Sequence, residues 1–148
     1  MHHHLRPDQI ALLATFEQAL NCFFAHLDAR RYDAMLAHFT NDARWFRQGK
    51  WSDGHRAIRQ ALEERCASRQ TCHVMSNHHI ASASDCEVTV QSVMTAYSFP
   101  APANEKELPQ ISGPLRLNLV ATVFCKQANG AWLISSQRFD PRVAFKAA

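Results

Sequence analysis

Thr71-Cys72-His73-Val74-Met75-Ser76-Asn77-His78-His79-Ile80 is the stretch at which the period of the chain changes. Before it, apolar residues recur at helical spacing; from Thr71 onward they alternate. The stretch reads as a strand, and a strand sends successive side chains to opposite faces. His73, Met75, Asn77 and His79 are therefore expected on one face, with Val74, Ser76, His78 and Ile80 on the other. The functional question is whether His73 faces a cavity and meets an acid there.

Working back from Thr71, three helices are expected. Pro7 and Asp8 open the first, since proline suits a first turn. Ile10, Leu13, Phe16, Leu20, Phe23, Phe24 and Leu27 then mark one long apolar face. Asp28 follows Phe24 and Leu20 at helical spacing and sits on the edge of that face. An acid there is unusual, because carboxylates are seldom buried unpaired. Tyr32 to Thr40 form a short second helix with Met35, Leu36 and Phe39 inward. Ala43 to Gln48 form a strand with Trp45 and Phe46 on opposite faces, ended by Gly49. After an Asp53-Gly54 turn, a third helix runs from about His55 to Ser68, with Ile58, Leu62 and Cys66 inside.

Working forward, strands are expected at about 71–82, 86–98, 115–127 and 131–139. Ser84-Asp85 and Asn129-Gly130 are the tight turns, the second a strong hairpin signal. Phe99 to Pro114 holds four prolines and reads as a long exposed loop. The order gives an α+β chain whose mostly antiparallel, strongly curved sheet wraps around the long N-terminal helix, with two further helices. Residues 8–148 are read as a single domain, and 1–7, with the run Met1-His2-His3-His4, as a disordered lead or cloning remnant.

Composition narrows the classes. The 148 residues are 47% hydrophobic and 20% charged, which fits a folded domain with a real core. A net charge of +3 with scattered arginines argues against a nucleic-acid partner. No apolar run approaches the roughly 20 residues of a membrane span. The five cysteines are odd in number and form no C-x-x-C. They are expected to be reduced, mostly buried residues of a cytoplasmic protein. No metal is expected: the adjacent His78 and His79 point to opposite faces, and no ligand-spaced partner accompanies them. Cys72 is not expected to act as a nucleophile, since it points away from its neighbour His73.

Four segments together resemble the nuclear transport factor 2-like superfamily and its SnoaL-like branch. They are Asp28-Ala29-Arg30-Arg31-Tyr32-Asp33-Ala34-Met35-Leu36 running into Phe39-Thr40-Asn41-Asp42-Ala43; Gly54-His55-Arg56-Ala57-Ile58; Thr71-Cys72-His73 with Ser76-Asn77; and Gly130-Ala131-Trp132-Leu133-Ile134 with Arg138-Phe139-Asp140. The resemblance implies a cone-shaped barrel with a hydrophobic pocket, packed as a homodimer through the sheet. The superfamily includes scytalone dehydratase, bile-acid dehydratase, ketosteroid isomerase, polyketide cyclases and small subunits of aromatic-ring-hydroxylating dioxygenases, so fold does not choose the reaction. In its dehydratases an aspartate of the first helix and a histidine of the T-x-H strand form an acid/base pair, and Asp28 and His73 match those positions. The match is incomplete. Scytalone dehydratase also uses two tyrosines, whereas this chain has only Tyr32 and Tyr97. Leu27, Trp45 and Phe46 carry no hydroxyl, and the polar positions of the strand near Asn118 fall on Leu119 and Ala121.

The site expected from these readings has Asp28 and His73 as catalytic residues. Phe24, Trp45, Met75, Tyr97 and Arg138 are the candidate substrate contacts. Histidine titrates near neutral pH and can take a proton in one step and return it in the next. Each residue also has a plain reading: His73 as a satisfied structural histidine, Asp28 as a helix-end acid on Arg31, Arg138 paired with Asp140 or Asp42, and the apolar residues as core. Two function classes follow. One is a cofactor-independent dehydratase, isomerase or cyclase acting on a small hydrophobic carbonyl metabolite. The other is a non-catalytic dioxygenase small subunit or ligand carrier, to which Gln137-Arg138-Phe139-Asp140-Pro141-Arg142 also bears likeness.

Overall fold

The computed structural model describes residues 4–146, so part of the expectation for residues 1–7 lies outside the described residues. The elements are α1 (Pro7–Asp28), α2 (Tyr32–Leu36), β1 (Phe39–Arg47), β2 (Lys50–Asp53), α3 (Gly54–Glu63), β3 (Arg69–Ala83), β4 (Glu87–Pro100), β5 (Arg116–Lys126) and β6 (Trp132–Ala144). They build one six-stranded sheet in the order β2-β1-β6-β5-β4-β3. Only β1 and β6 run parallel.

The α+β class and the curvature hold, but the barrel does not close. β2 and β3 are the two edges and do not pair with each other. Irregularities in register interrupt the β1–β6, β3–β4 and β5–β6 ladders, and such bulges bend a sheet. Helices rather than strand pairing cover its ends: α1 packs along β3, and α3 on β1 and β2.

α1 turns Phe16, Leu20, Phe23, Phe24 and Leu27 into the core, whereas Ile10 is exposed. By length and composition α1 is apolar enough to cross a membrane, against the sequence expectation. Part of that apolarity is buried on the sheet: Phe16 stacks on Phe124 of β5 at 4.4 Å, and Phe23 meets Phe39 edge-on at 5.3 Å. Two other boundaries differ from expectation. α2 ends at Leu36, because Phe39 already pairs with Ile134 of β6. The strand β2 escaped detection, because Gln48 (φ 54°) and Gly49 (φ 76°) form a two-residue hairpin turn with both residues left-handed, and glutamine does not signal one.

α3 stops at Glu63, which leaves Cys66 exposed rather than inside. None of the five free cysteines is buried: Cys66, Cys72 and Cys86 are exposed, and Cys22 and Cys125 are partly so.

β3 departs from strict alternation. Ser76 pairs with Val93 but His79 with Gln91, so one extra residue has been inserted. Asn77 absorbs it in the left-handed region at φ 53°. Before this bulge, Thr71, His73 and Met75 face inward, as expected. After it the parity reverses: His78 and Ile80 turn inward, while Asn77 and His79 are exposed.

Candidate active site

Asp28 is the last residue of α1, where a negative charge opposes the helix dipole. Donors from β3 offset that cost. The Thr71 hydroxyl donates to Oδ1 at 2.8 Å, and the His73 backbone N–H donates to Oδ2 at 2.8 Å. The His73 imidazole Nδ1 lies 2.6 Å from Oδ1. Thr71 and His73 can both reach one carboxylate because they are two residues apart on a strand, and so share a face. The Thr71 hydroxyl is oriented in turn by Arg65, which donates to it at 2.6 Å and to the Leu27 carbonyl at 2.7 Å.

Burial alone would raise the Asp28 pKa. The bonds and charge of His73, with the bond from Thr71, outweigh it and hold the carboxyl below its ordinary range. Asp28 is therefore an anion at neutral pH and can only accept. The proton between the pair therefore belongs to Nδ1, and in the neutral form of the ring Nε2 carries the free lone pair. The His73 side chain keeps 11% of its surface exposed, and Asp28 keeps 21%.

His73 lines a cavity of about 120 Å³ that opens to solvent. Leu27, Met94, Ala96 and Phe139 give it apolar walls, and Asn118 brings a polar group. Asn118 is 4% exposed and makes no side-chain hydrogen bond to another described residue. Three guanidinium groups, those of Arg47, Arg65 and Arg116, share the cavity. Burial pulls Arg47 below the usual guanidinium pKa, and the neighbouring Arg65 charge adds to the effect.

The structure thus brings Asp28 and His73 together and puts the other candidates elsewhere; Tyr97 borders the same cavity but stands opposite Cys72, so its side chain shares the outward face of Cys72. Phe24 is buried behind His73, with ring centres 5.4 Å apart. Trp45 is core, its indole N–H donating to Gln137 at 3.0 Å; Gln137 donates onward to Thr122 at 3.1 Å. Met75 packs partly buried against the core. Arg138 lies on the opposite face of the sheet, over the Phe46 ring at 5.0 Å, beside a separate cavity of about 440 Å³ that also takes in Asn77, His79 and Leu119. It pairs with neither Asp140, which bonds Arg142 at 2.9 Å, nor Asp42. Asp28 does not bond Arg31.

Sequence reasoning missed Asn118 and the three arginines. Leu119 is 40% exposed and Asn118 faces inward, which is the reverse of the register expected for β5. The signal was present: Asn118, Val120, Thr122 and Phe124 alternate as a buried set. Arg47 ends β1 two residues after Trp45, so it shares the inward face of Trp45. Cys72 points away from the cavity, and burial, then the Asp28 charge, keep its thiol protonated. Among the described residues no three His, Cys, Asp or Glu side chains are grouped to hold a metal.

The profile of the SnoaL-like domain family matches residues 9–138. No curated protein matches the chain. Among solved structures, one from Catenulispora acidiphila is 21% identical and superposes with a TM-score of 0.77 over 92% of this chain and 95% of the other. ActVI-ORFA from Streptomyces coelicolor is also 21% identical, with a TM-score of 0.74 over 88% of this chain and 97% of its own. A candidate dehydratase of the NTF2-like family from Streptomyces avermitilis is 13% identical, with a TM-score of 0.71 over 93% and 97%. At these identities the likeness establishes the shared fold.

Proposed function

Because the chain belongs to the SnoaL-like domain family, we propose that it is a cofactor-independent enzyme of the dehydratase, isomerase or cyclase type, with His73 and Asp28 as its acid/base pair. The observation that carries this reading is the 2.6 Å contact between Asp28 and His73 beside a cavity that His73 itself lines. A histidine held only for structure has no need of an ionised carboxylate behind it and open space in front.

In the proposed step, Nε2 of His73 takes a proton from a carbon next to the substrate carbonyl. The C–H electron pair moves into the carbonyl to form an enolate. Asp28 stabilises the imidazolium that results and keeps its ring oriented. The unbonded, nearly buried Asn118 amide is the group suited to donate to the enolate oxygen. The imidazolium then returns its proton. If the proton goes to a hydroxyl on the next carbon, that hydroxyl leaves as water and a C=C bond forms; if it goes to another carbon, the product is an isomer. His73 ends neutral in either case.

The test is proton–deuterium exchange, by NMR in D₂O, at carbons beside the carbonyl of a panel of small β-hydroxy ketones and 3-oxo acids. The wild-type protein is expected to accelerate exchange for at least one compound. His73→Ala should lower that rate by about 10²–10⁴-fold with an unchanged circular dichroism spectrum. An equal rate in the variant removes His73 from the mechanism.

A further inference from the structure

The charge in the cavity is unbalanced. Arg47, Arg65 and Arg116 all line it, yet none forms an ion pair among the described residues. Asp28, the acid nearest the cavity, is already bonded by His73 and Thr71. Arg65 has its terminal nitrogens engaged by the Leu27 carbonyl and by the Tyr32 and Thr71 hydroxyls, so it positions Thr71. Arg47 and Arg116 are different. Arg47 makes one long bond of 3.4 Å, to the Ala61 carbonyl, and rests over the Trp45 ring at 5.3 Å. Glu64 acts on it only from beyond ion-pair distance. Arg116 makes no side-chain hydrogen bond among the described residues. Two half-buried guanidinium groups with spare donors, on one small cavity, are a site for an anion.

We propose that the substrate carries a carboxylate, and that Arg47 and Arg116 hold this group so that its carbonyl lies within reach of Asn118 and His73. The inference rests on the acid/base reading for which carbon reacts, but the anion site does not depend on turnover. The pocket size limits the class: about 120 Å³ admits a short oxo or hydroxy acid and excludes a polycyclic skeleton unless the cavity widens. Guanidinium groups suit a carboxylate because their planar fork matches its two oxygens.

The experiment uses binding, not activity. Acetoacetate and its neutral isostere acetoacetamide are titrated into wild-type protein, His73→Ala, Arg47→Gln and Arg116→Gln, with NMR of the histidine rings and backbone amides as the readout. Acetoacetate is expected to shift the His73 ring signal of the wild type and to bind roughly tenfold or more tightly than the amide. Each arginine substitution should remove most of that preference while leaving the weak amide binding unchanged. Arg116→Gln carries the test if loss of Arg47 from the Trp45 ring disturbs folding. Equal binding of acid and amide, no acetoacetate binding at millimolar concentration, or an intact preference in a folded Arg116→Gln protein overturns the proposal. Acid preference retained in a His73→Ala protein that exchanges protons as fast as wild type would reject the acid/base pair and leave the anion site standing. Loss of exchange in His73→Ala with no acid preference would do the reverse.

Discussion

His73 and His78 stand on the same strand, both turned to the inner face, and each uses Nδ1 to meet a neighbour. His73 meets the Asp28 carboxylate at 2.6 Å, and His78 meets the Ser92 hydroxyl at 2.8 Å. A carboxylate only accepts, so it fixes the tautomer of His73. A hydroxyl donates or accepts, so it fixes neither. Burial acts on His78 with no bonded counter-ion and lowers its pKa, with Glu17 offsetting only part of the effect. His73 opens on a cavity beside Asn118, whereas His78 lines neither that cavity nor the one beside Arg138. Residue type and strand face are therefore shared, and the partner with the space in front makes the difference.

Asp28→Asn makes the strongest attempt to erase that difference. An amide at this position has the size of the acid but presents donors to Nδ1. It would move the imidazole proton to Nε2 and leave no stable partner for the charged ring. We expect proton exchange to fall by about 10²–10⁴-fold, near the loss for His73→Ala, and a double variant to lose little more, because the two residues act as one unit. Fold should survive, since the amide oxygen still accepts from the His73 N–H and the Thr71 hydroxyl can turn to accept from the amide nitrogen. An Asp28→Asn protein with full exchange activity would make His73 no different from His78.

The contrast was half legible in the sequence. Asp28 stood out as an acid on an apolar helix edge, and His73 as the inward residue two after Thr71, because both signals are periodic. The fold class was legible for the same reason. The open sheet was not, since closure depends on the angle between strands distant in sequence. Nor was the role of His78, because a single inserted residue reverses the parity of the residues that follow it. The β5 register failed in a related way: alternate positions had to be assigned to a face, and Leu119 was placed in the pocket where Asn118 belongs. The arginines were read as scattered charge. Arg47, Arg65 and Arg116 come together only when β1, the segment after α3 and β5 surround one space.

The bulge is the second place to test the comparison, with a smaller effect. Asn77 holds φ at 53°, a conformation that asparagine tolerates and that costs alanine about 1–2 kcal/mol relative to ordinary backbone. Asn77→Ala should lower stability by about 1 kcal/mol, measured by urea denaturation, and Asn77→Gly should hold or raise it. Both should leave exchange at His73 unchanged, because Thr71 and His73 precede the bulge. If alanine is tolerated as well as glycine, the left-handed turn is absent, and with it the reason that His78 faces inward.

The smallest effect is the pH response of His78. The folded-state pKa of His78 lies below its ordinary value of 6.5, so the unfolded chain binds the proton more readily. Its contribution is therefore whole above about pH 6.5 and is lost as the pH falls through that value toward the folded pKa. His38, which burial and then the His26 charge push the same way, adds a slope of equal sign. The informative quantity is thus the difference between wild type and His78→Gln, a change that keeps a donor for Ser92. The urea midpoint of the wild type should drop more between about pH 7.5 and about pH 5 than that of the variant. Asp28, held below the ordinary carboxylate range, stays ionised across this window and does not blur the reading. Equal drops in the two proteins would put His78 in an environment no less favourable to charge than water, and the contrast with His73 would then rest on the cavity alone.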